Sequence, residues 1–214
     1  MNKVRYWKHE IASKVKYHIT IGHLTVMGRL FLFKVDGPNF ESGKVYPYVE
    51  EIPATAKEVE PDIYGIIFLD RPCHLREKSF FIGSRLELSI DCKECRMSFC
   101  GEALELRLHT TDTDFTDLQL SKPKQKSGEV ERVANDGSLI VKDMFNKSSN
   151  IQRYINHALI LDSKPTLKAK ILTTFGNIGK IKVGLGSMLP AEEAEGLVGT
   201  KCHIEYIKII KLKV

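Results

Sequence analysis

The chain has 214 residues, 43% apolar and 28% charged, which suits one large globular domain or two small ones and excludes disorder, collagen and coiled coil. No apolar run reaches the roughly 18–20 residues of a membrane-spanning helix, Met1 to Glu10 is charged throughout, and the cysteine count of five is odd. These features predict a soluble, non-secreted protein with reduced thiols, no disulfide framework and no membrane partner, in the cytoplasm or the nucleus. The net charge of +5 is uneven: Met1 to Leu120 carries 16 Lys+Arg against 18 Asp+Glu, and Ser121 to Val214 carries 16 against 9, so the basic surplus lies in the second part.

Most segments alternate apolar and polar residues with period 2, the pattern of half-buried antiparallel strands. The clearest strands are Lys14 to Ile21, Val26 to Phe33, Tyr64 to Asp70, Ser79 to Ile82, Arg85 to Ile90, Cys95 to Phe99 and Ala103 to Leu108. Gly22-His23 and Gly83-Ser84 supply turns between neighbours. Such a series describes a barrel or a sandwich. The stretch from Asp36 to Asp62 holds four prolines and the acids Glu50, Glu51, Glu58 and Glu60, and reads as a long surface excursion.

From His109 to Ser127 the chain becomes polar, marking a linker at 110–127 between a first domain at 1–109 and a second at 128–214. Strand-like pieces then resume at Gly128 to Val133, Ser138 to Val141, Ala158 to Leu161, Ala169 to Thr174, Gly179 to Val183 and His203 to Val214. Asn135-Asp136-Gly137 is a hairpin signal. Only Asn150 to Ile155 and Pro190 to Leu197 look helical, the latter with Glu192 and Glu193 in its first turn. The fold class is mainly β, two small barrel-like domains of which the second is the basic one.

Three motifs invite a catalytic or metal reading. Gly37 to Val45 resembles a phosphate-binding loop, but its glycines are separated by five residues and Lys44 is followed by Val45 where Ser or Thr is needed for magnesium. Cys92-x2-Cys95 with Cys100, helped by His109 or by Cys73 and His74, could hold zinc or act as a redox pair. Only one and a half ligand pairs are present, however, and Cys95 and Cys100 fall on opposite faces of a strand. His18 and His23 bracket a turn with no acid or nucleophile at motif spacing, which favours a structural or contact role. No catalytic constellation emerges, and no metal site is expected.

The run Lys16-Tyr17-His18-Ile19-Thr20-Ile21-Gly22-His23-Leu24-Thr25-Val26-Met27-Gly28-Arg29-Leu30 resembles the opening of domain III in eukaryotic selenocysteine-specific elongation factors, whose pattern is H-I-T-V-G-H-x-T-V-M-G-R-L. Ile82 to Leu86 agrees in order. So do Gly128, Val130, Glu131, Arg132, Asp136, Ser138, Ile140, Phe145, Lys147 and Asn150 to Gln152 in the basic half, and Phe175-Gly176 with Gly179-Lys180 fit that family's domain IV. No G-x4-G-K-[ST] and no N-K-x-D motif occurs in these 214 residues, so the resemblance is to the family's C-terminal half. It implies no enzymatic activity and no cofactor for this chain, with GTP and magnesium expected only in an N-terminal GTPase domain.

The resemblance further implies that residues 10–109 form a barrel of the elongation factor Tu domain III type, which helps to hold aminoacyl-tRNA. The basic second domain is implied to couple the factor to the selenocysteine-insertion RNA hairpin and its binding protein. The implied partners are selenocysteinyl-tRNA, that RNA element and its binding protein, the ribosome and the family's own GTPase domains. Phosphate backbones are held by dispersed cations. The candidates are Lys122, Lys124 and Lys126 in the linker, Arg132, Lys142, Lys147 and Arg153 in the family-like block, and Lys168, Lys170, Lys180 and Lys182 on later strands. Each of the pairs Lys168/Lys170 and Lys180/Lys182 is spaced to project from one strand face. His18, His23, Arg29 and Arg85 are candidates for facing tRNA or the other domains of the factor. The competing readings are a free-standing β-barrel module for protein partners and a zinc or thiol protein built on Cys92 and Cys95.

Overall fold

The computed structural model describes residues 1–37, 40–41, 43–88, 91, 93–107, 118–146, 149–176, 179–186, 190–210 and 212. The chain divides into two units, Met1–Lys122 with Ile209–Val214, and Pro123–Lys208.

In the first unit, β1 (Asn2–Lys3), β9 (Met97–Glu102), β8 (Phe80–Ser84), β3 (Lys16–Ile21), β4 (Leu24–Lys34) and β7 (Ile63–Leu69) lie side by side as an antiparallel sheet. The β3–β4 hairpin turns at Gly22, whose φ of +59° only glycine adopts freely. β5 (Val45–Val49) pairs with the far end of β4, while β2 (Ile11–Ala12) and β6 (Glu51–Ile52) form a separate short ribbon.

β4 is the spine of this unit because both of its faces are buried. Leu30 and Leu32 pack with Trp7, Ile11, Tyr17, Ile19, Val26 and Phe99. The alternate residues Phe31 and Phe33 pack with Val35, Tyr46, Phe68, Leu118, Leu120 and Ile210. Each such side chain contributes about 1.5–3 kcal/mol on burial. Gly83 is required by the first core, since a Cβ there would lie 2.2 Å from the Phe99 ring.

Three expectations for this half are corrected. Asp36 to Asp62 is not simply a surface excursion: it contains β5 and β6 and buries Tyr46 and Ile52, because its apolar residues meet partners from distant strands. Arg85 to Ile90 is not a strand over its described residues, because the β8–β9 ladder ends on this side at Ser84 opposite Met97 and the chain then turns, Leu88 N donating to Arg85 O at 3.4 Å. Ala103 to Arg107 forms no strand either. The β8–β9 ladder ends at Phe80 opposite Glu102, which leaves Leu104 60% exposed.

The second unit is a closed barrel of six strands. Around the ring run β10 (Gln119–Val133), β11 (Leu139–Lys142), β14 (Lys180–Leu185), β13 (Lys164–Phe175), β12 (Ala158–Leu161) and β15 (Lys201–Ile210), and β15 pairs back to β10. Beside this closure Val130 N donates to Thr200 O at 3.0 Å and Gly199 N donates to Val130 O at 2.8 Å. Val130, Leu139, Val141, Leu159, Leu161, Ile171, Ile181, Val183, Cys202 and Ile204 fill the interior. A turn of 3-10 helix (Ile151–Tyr154) and α1 (Ala191–Glu195) lie where helical character is predicted, each shorter than its sequence pattern.

Of the polar stretch expected to be a linker, 110–117 lie outside the described residues. From Gln119 onward the chain is strand instead, with Leu120 fully buried and Gln119 to Ser121 paired in parallel with Val45 to Pro47. A strand with one exposed face tolerates such composition when its few apolar residues point inward.

Candidate nucleic-acid interface

The β3–β4 hairpin sorts its side chains by parity. Tyr17, Ile19, Val26 and Leu30 enter the core, so Lys16, His18, Thr20, Thr25, Met27 and Arg29 share the outer face. Lys16 is in register with Arg29, His18 with Met27, and Thr20 with Thr25, whose hydroxyls lie 2.9 Å apart. His23 sits in the exposed turn. Lys16 Nζ is 2.6 Å from Asp70 Oδ2, and Arg71 donates to Thr25 O at 3.3 Å. A shallow cavity of about 310 Å³ opens here, lined by His18, Thr25, Val26, Met27, Asp70 and Arg71.

Next to His18 stands the Arg85–Glu87 pair, with Glu87 Oε2 3.8 Å from the His18 ring. Partial burial disfavours the Glu87 anion, but the hydrogen bonds from Arg85 and from its own backbone outweigh this and hold the carboxyl below its usual range. This wall thus carries His18, Arg29 and Arg85 together, with its cations interleaved among acids.

On the second unit the lysine spacing works as strand geometry requires. Lys180 and Lys182 alternate with fully buried Ile181 and Val183, and Lys168 and Lys170 alternate with buried Ala169 and Ile171. Their surroundings differ. Lys180 Nζ is 2.6 Å from Glu131 Oε1, Lys182 Nζ is 2.5 Å from Asp136 Oδ2, and Lys142 Nζ is 3.2 Å from Glu129 Oε1. The hydrogen bond from Lys180 holds the Glu131 carboxyl below its usual range, and those from Lys182 and Ser138 do the same for Asp136. Lys124, Arg153, Lys168 and Lys170 are exposed, and among the described residues none of them has a carboxylate at ion-pair distance. Lys126 lies 5.1 Å from the centroid of Phe145, and the Arg132 guanidinium 5.6 Å from that of Phe175. Lys122 belongs to the first unit, paired with Glu50, and Lys147 lies outside the described residues.

Residues 1–101 match the family model for the third domain of the eukaryotic selenocysteine-specific elongation factor, and residues 116–205 match the model for the eEFSec C-terminal RIFT domain. The chain belongs to the selenocysteine-specific elongation factors. The selenocysteine-specific elongation factor of Mus musculus is 26% identical over 235 residues, a match covering 94% of this chain and 40% of that protein. Among solved structures, the translation elongation factor SelB of Methanococcus maripaludis in its apo form has a TM-score of 0.59 at 17% identity, covering 95% of this chain and 38% of that one. The same factor with the GTP analogue GppNHp gives 0.58 at 16%, covering 94% and 38%. The chain therefore spans about 40% of the length of the curated relative and carries the third and C-terminal domains of a selenocysteine-specific translation elongation factor.

Within this family assignment, the string H-I-T-I-G-H-L-T-V-M-G-R-L is the β3–β4 hairpin, and its polar residues line one wall. Among the described residues no three His, Cys, Asp or Glu side chains gather as a metal site. Cys92 and His109 lie outside those residues, and Cys95 Sγ approaches Met97 O at 3.4 Å. Burial pushes the Cys202 thiol up to about 12, so it is an inert core residue. Lys44 is tied to Glu41 at 2.8 Å on an exposed turn. No helix among the described residues is long and apolar enough to cross a membrane. The sequence names Phe175 only as part of the family-like block with Gly176 and not as a candidate site residue, and its place beside Arg132 is seen only in the structure.

Proposed function

We propose that this chain supports delivery of selenocysteinyl-tRNA to the ribosome at UGA codons, in the cytoplasm. In this reading the outer wall of the β3–β4 hairpin, with His18, His23, Arg29 and Arg85, faces tRNA or the GTPase domains of the factor. The second barrel meets the selenocysteine-insertion RNA and its binding protein. The observation that carries the reading is the pair of domain matches in order along the chain, the second falling on the barrel whose Lys168, Lys170 and Arg153 stand free of carboxylates among the described residues. Uncommitted cations on a strand wall suit a phosphate backbone, where binding releases counterions and weakens as salt rises.

The test is a titration against selenocysteine tRNA, serine tRNA and an insertion-element hairpin, the last with and without its binding protein, at two salt concentrations. Preferential, salt-sensitive binding to the selenocysteine RNAs is expected. Replacing Arg132 and Arg153 together by Glu is expected to abolish that binding with the fold intact, and unchanged affinity would overturn the site assignment.

A further inference from the structure

β13 and β14 do not stay in simple alternation. Ile171 faces Val183, but the next registered pair is Thr173 with Lys182, so Leu172 is the extra residue of a β-bulge. Inward-pointing positions before the bulge are Ala169 and Ile171, both buried. Continued without interruption, that parity would send Thr173 and Phe175 into the barrel. After the bulge, Thr174 lies opposite the buried Ile181, and Phe175 lies opposite Lys180 on the outer face. The bulge thus turns a phenylalanine outward on a wall of lysines and threonines.

Phe175 is 36% exposed and takes no part in the core. A single exposed apolar side chain needs no special explanation. Its companion does, because the Arg132 guanidinium stands 5.6 Å from the ring centroid, and among the described residues no carboxylate lies at ion-pair distance from it. Its neighbour Glu131 is bonded to Lys180. Arg132 is therefore held by an aromatic face and, among the described residues, keeps its hydrogen-bond donors uncommitted. Around the pair, Lys180 and Lys182 are matched by Glu131 and Asp136, so the wall offers little net charge to a continuous phosphate backbone.

A duplex presents phosphates and hides its base faces, whereas a single strand presents both. We propose that Phe175 and Arg132 form a stacking site for an unpaired nucleobase of RNA, with Lys168 and Lys170 on the same strand taking the backbone leading to it. Five residues of strand put Phe175 about 16 Å from Lys170. This rests on the RNA-binding reading of the second barrel and names what its wall selects, an exposed base in a loop, bulge or end.

The experiment measures fluorescence anisotropy of the whole chain with a labelled single-stranded RNA 12-mer and with the same sequence as a duplex, across a salt series. Phe175→Ala is expected to weaken single-strand binding about 5- to 150-fold, the range of one base–aromatic stack. It should leave duplex binding within twofold and leave the salt dependence unchanged, because no phosphate contact is lost. Phe175→Trp should restore affinity, and Arg132→Lys, which keeps the charge and loses the planar stack, should fall with Phe175→Ala. If Phe175→Ala binds single strands like the parent, or loses single strand and duplex equally, the stacking site is overturned while the RNA-binding reading stands. If the parent chain shows no salt-sensitive binding to either RNA, the reading beneath it fails as well.

Discussion

In the first unit Lys16, Lys34, Arg85 and Lys122 each lie within 2.9 Å of a carboxylate, whereas in the second Arg153, Lys168 and Lys170 have none at ion-pair distance among the described residues. The charge counts follow the same division once it is drawn where the fold draws it. Pro123–Lys208 holds 13 Lys+Arg against 9 Asp+Glu, and the remainder holds 19 against 18, because Lys122, Lys211 and Lys213 fall to the first unit. Part of the basic character of the second half of the sequence thus lies outside the second barrel. What distinguishes that barrel is its charge balance rather than ion pairing alone, since exposed cations without a carboxylate at ion-pair distance among the described residues occur in both units, Lys8, Lys57 and Lys78 in the first and Arg153, Lys168 and Lys170 in the second.

The strongest way to break the comparison is to ask whether the two units are independent bodies. Their cores share no residue, and Phe99 is fully buried in the first, edge-on to Tyr17 at 5.1 Å between centroids. Phe99→Ala is expected to cost about 3–5 kcal/mol. Hydrogen exchange should show the loss in β3, β8 and β9, with β11 and β14 keeping their protection. Equal loss in both sets would mean that the two units unfold as one.

The parts of the fold that the sequence made legible are those governed by neighbours in the chain. The β3–β4 hairpin, β7, β12 and the outward projection of Lys168, Lys170, Lys180 and Lys182 all follow from period-2 alternation and a local turn residue. What was hidden depends on pairing between distant segments. Tyr46 and Ile52 lie in a proline-rich stretch and become core only because other strands supply their partners. Gln119 to Ser127 has a linker's composition, yet it is strand because Val45 to Pro47 and the barrel flank it. The bulge at Leu172 leaves no local signature and reverses the face of every residue after it, which is why Phe175 could not be placed beside Arg132 in advance. The Lys180–Glu131 and Lys182–Asp136 pairs are cross-strand contacts of the same kind.

A gentler test sharpens the cation argument within the second barrel. Lys168→Gln with Lys170→Gln removes two exposed charges that make no ion pair among the described residues, so stability should change by less than about 0.5 kcal/mol. If both contact phosphate, the slope of log affinity against log salt should fall by roughly 1 to 1.5, at about 0.7 per phosphate on a single strand. An unchanged slope would place the backbone elsewhere on the barrel.

The smallest expected effect lies in the first unit, at the pair between Lys16 and Asp70. Both side chains are well exposed, at 43% and 37%, so their 2.6 Å contact is screened by water and salt. Asp70→Asn keeps the shape and removes the charge, and its cost in urea denaturation is expected to stay below about 1 kcal/mol. It also frees Lys16 on the wall that carries His18 and Arg29. If commitment to acids is what limits this wall as a polyanion surface, this variant should bind RNA slightly more tightly, with a salt slope steeper by at most about one phosphate's worth. A larger loss of stability would show that the pair fastens the β3–β4 hairpin to the end of β7. An unaltered RNA affinity would mean that this wall is turned toward protein, and that the two units differ in kind of partner.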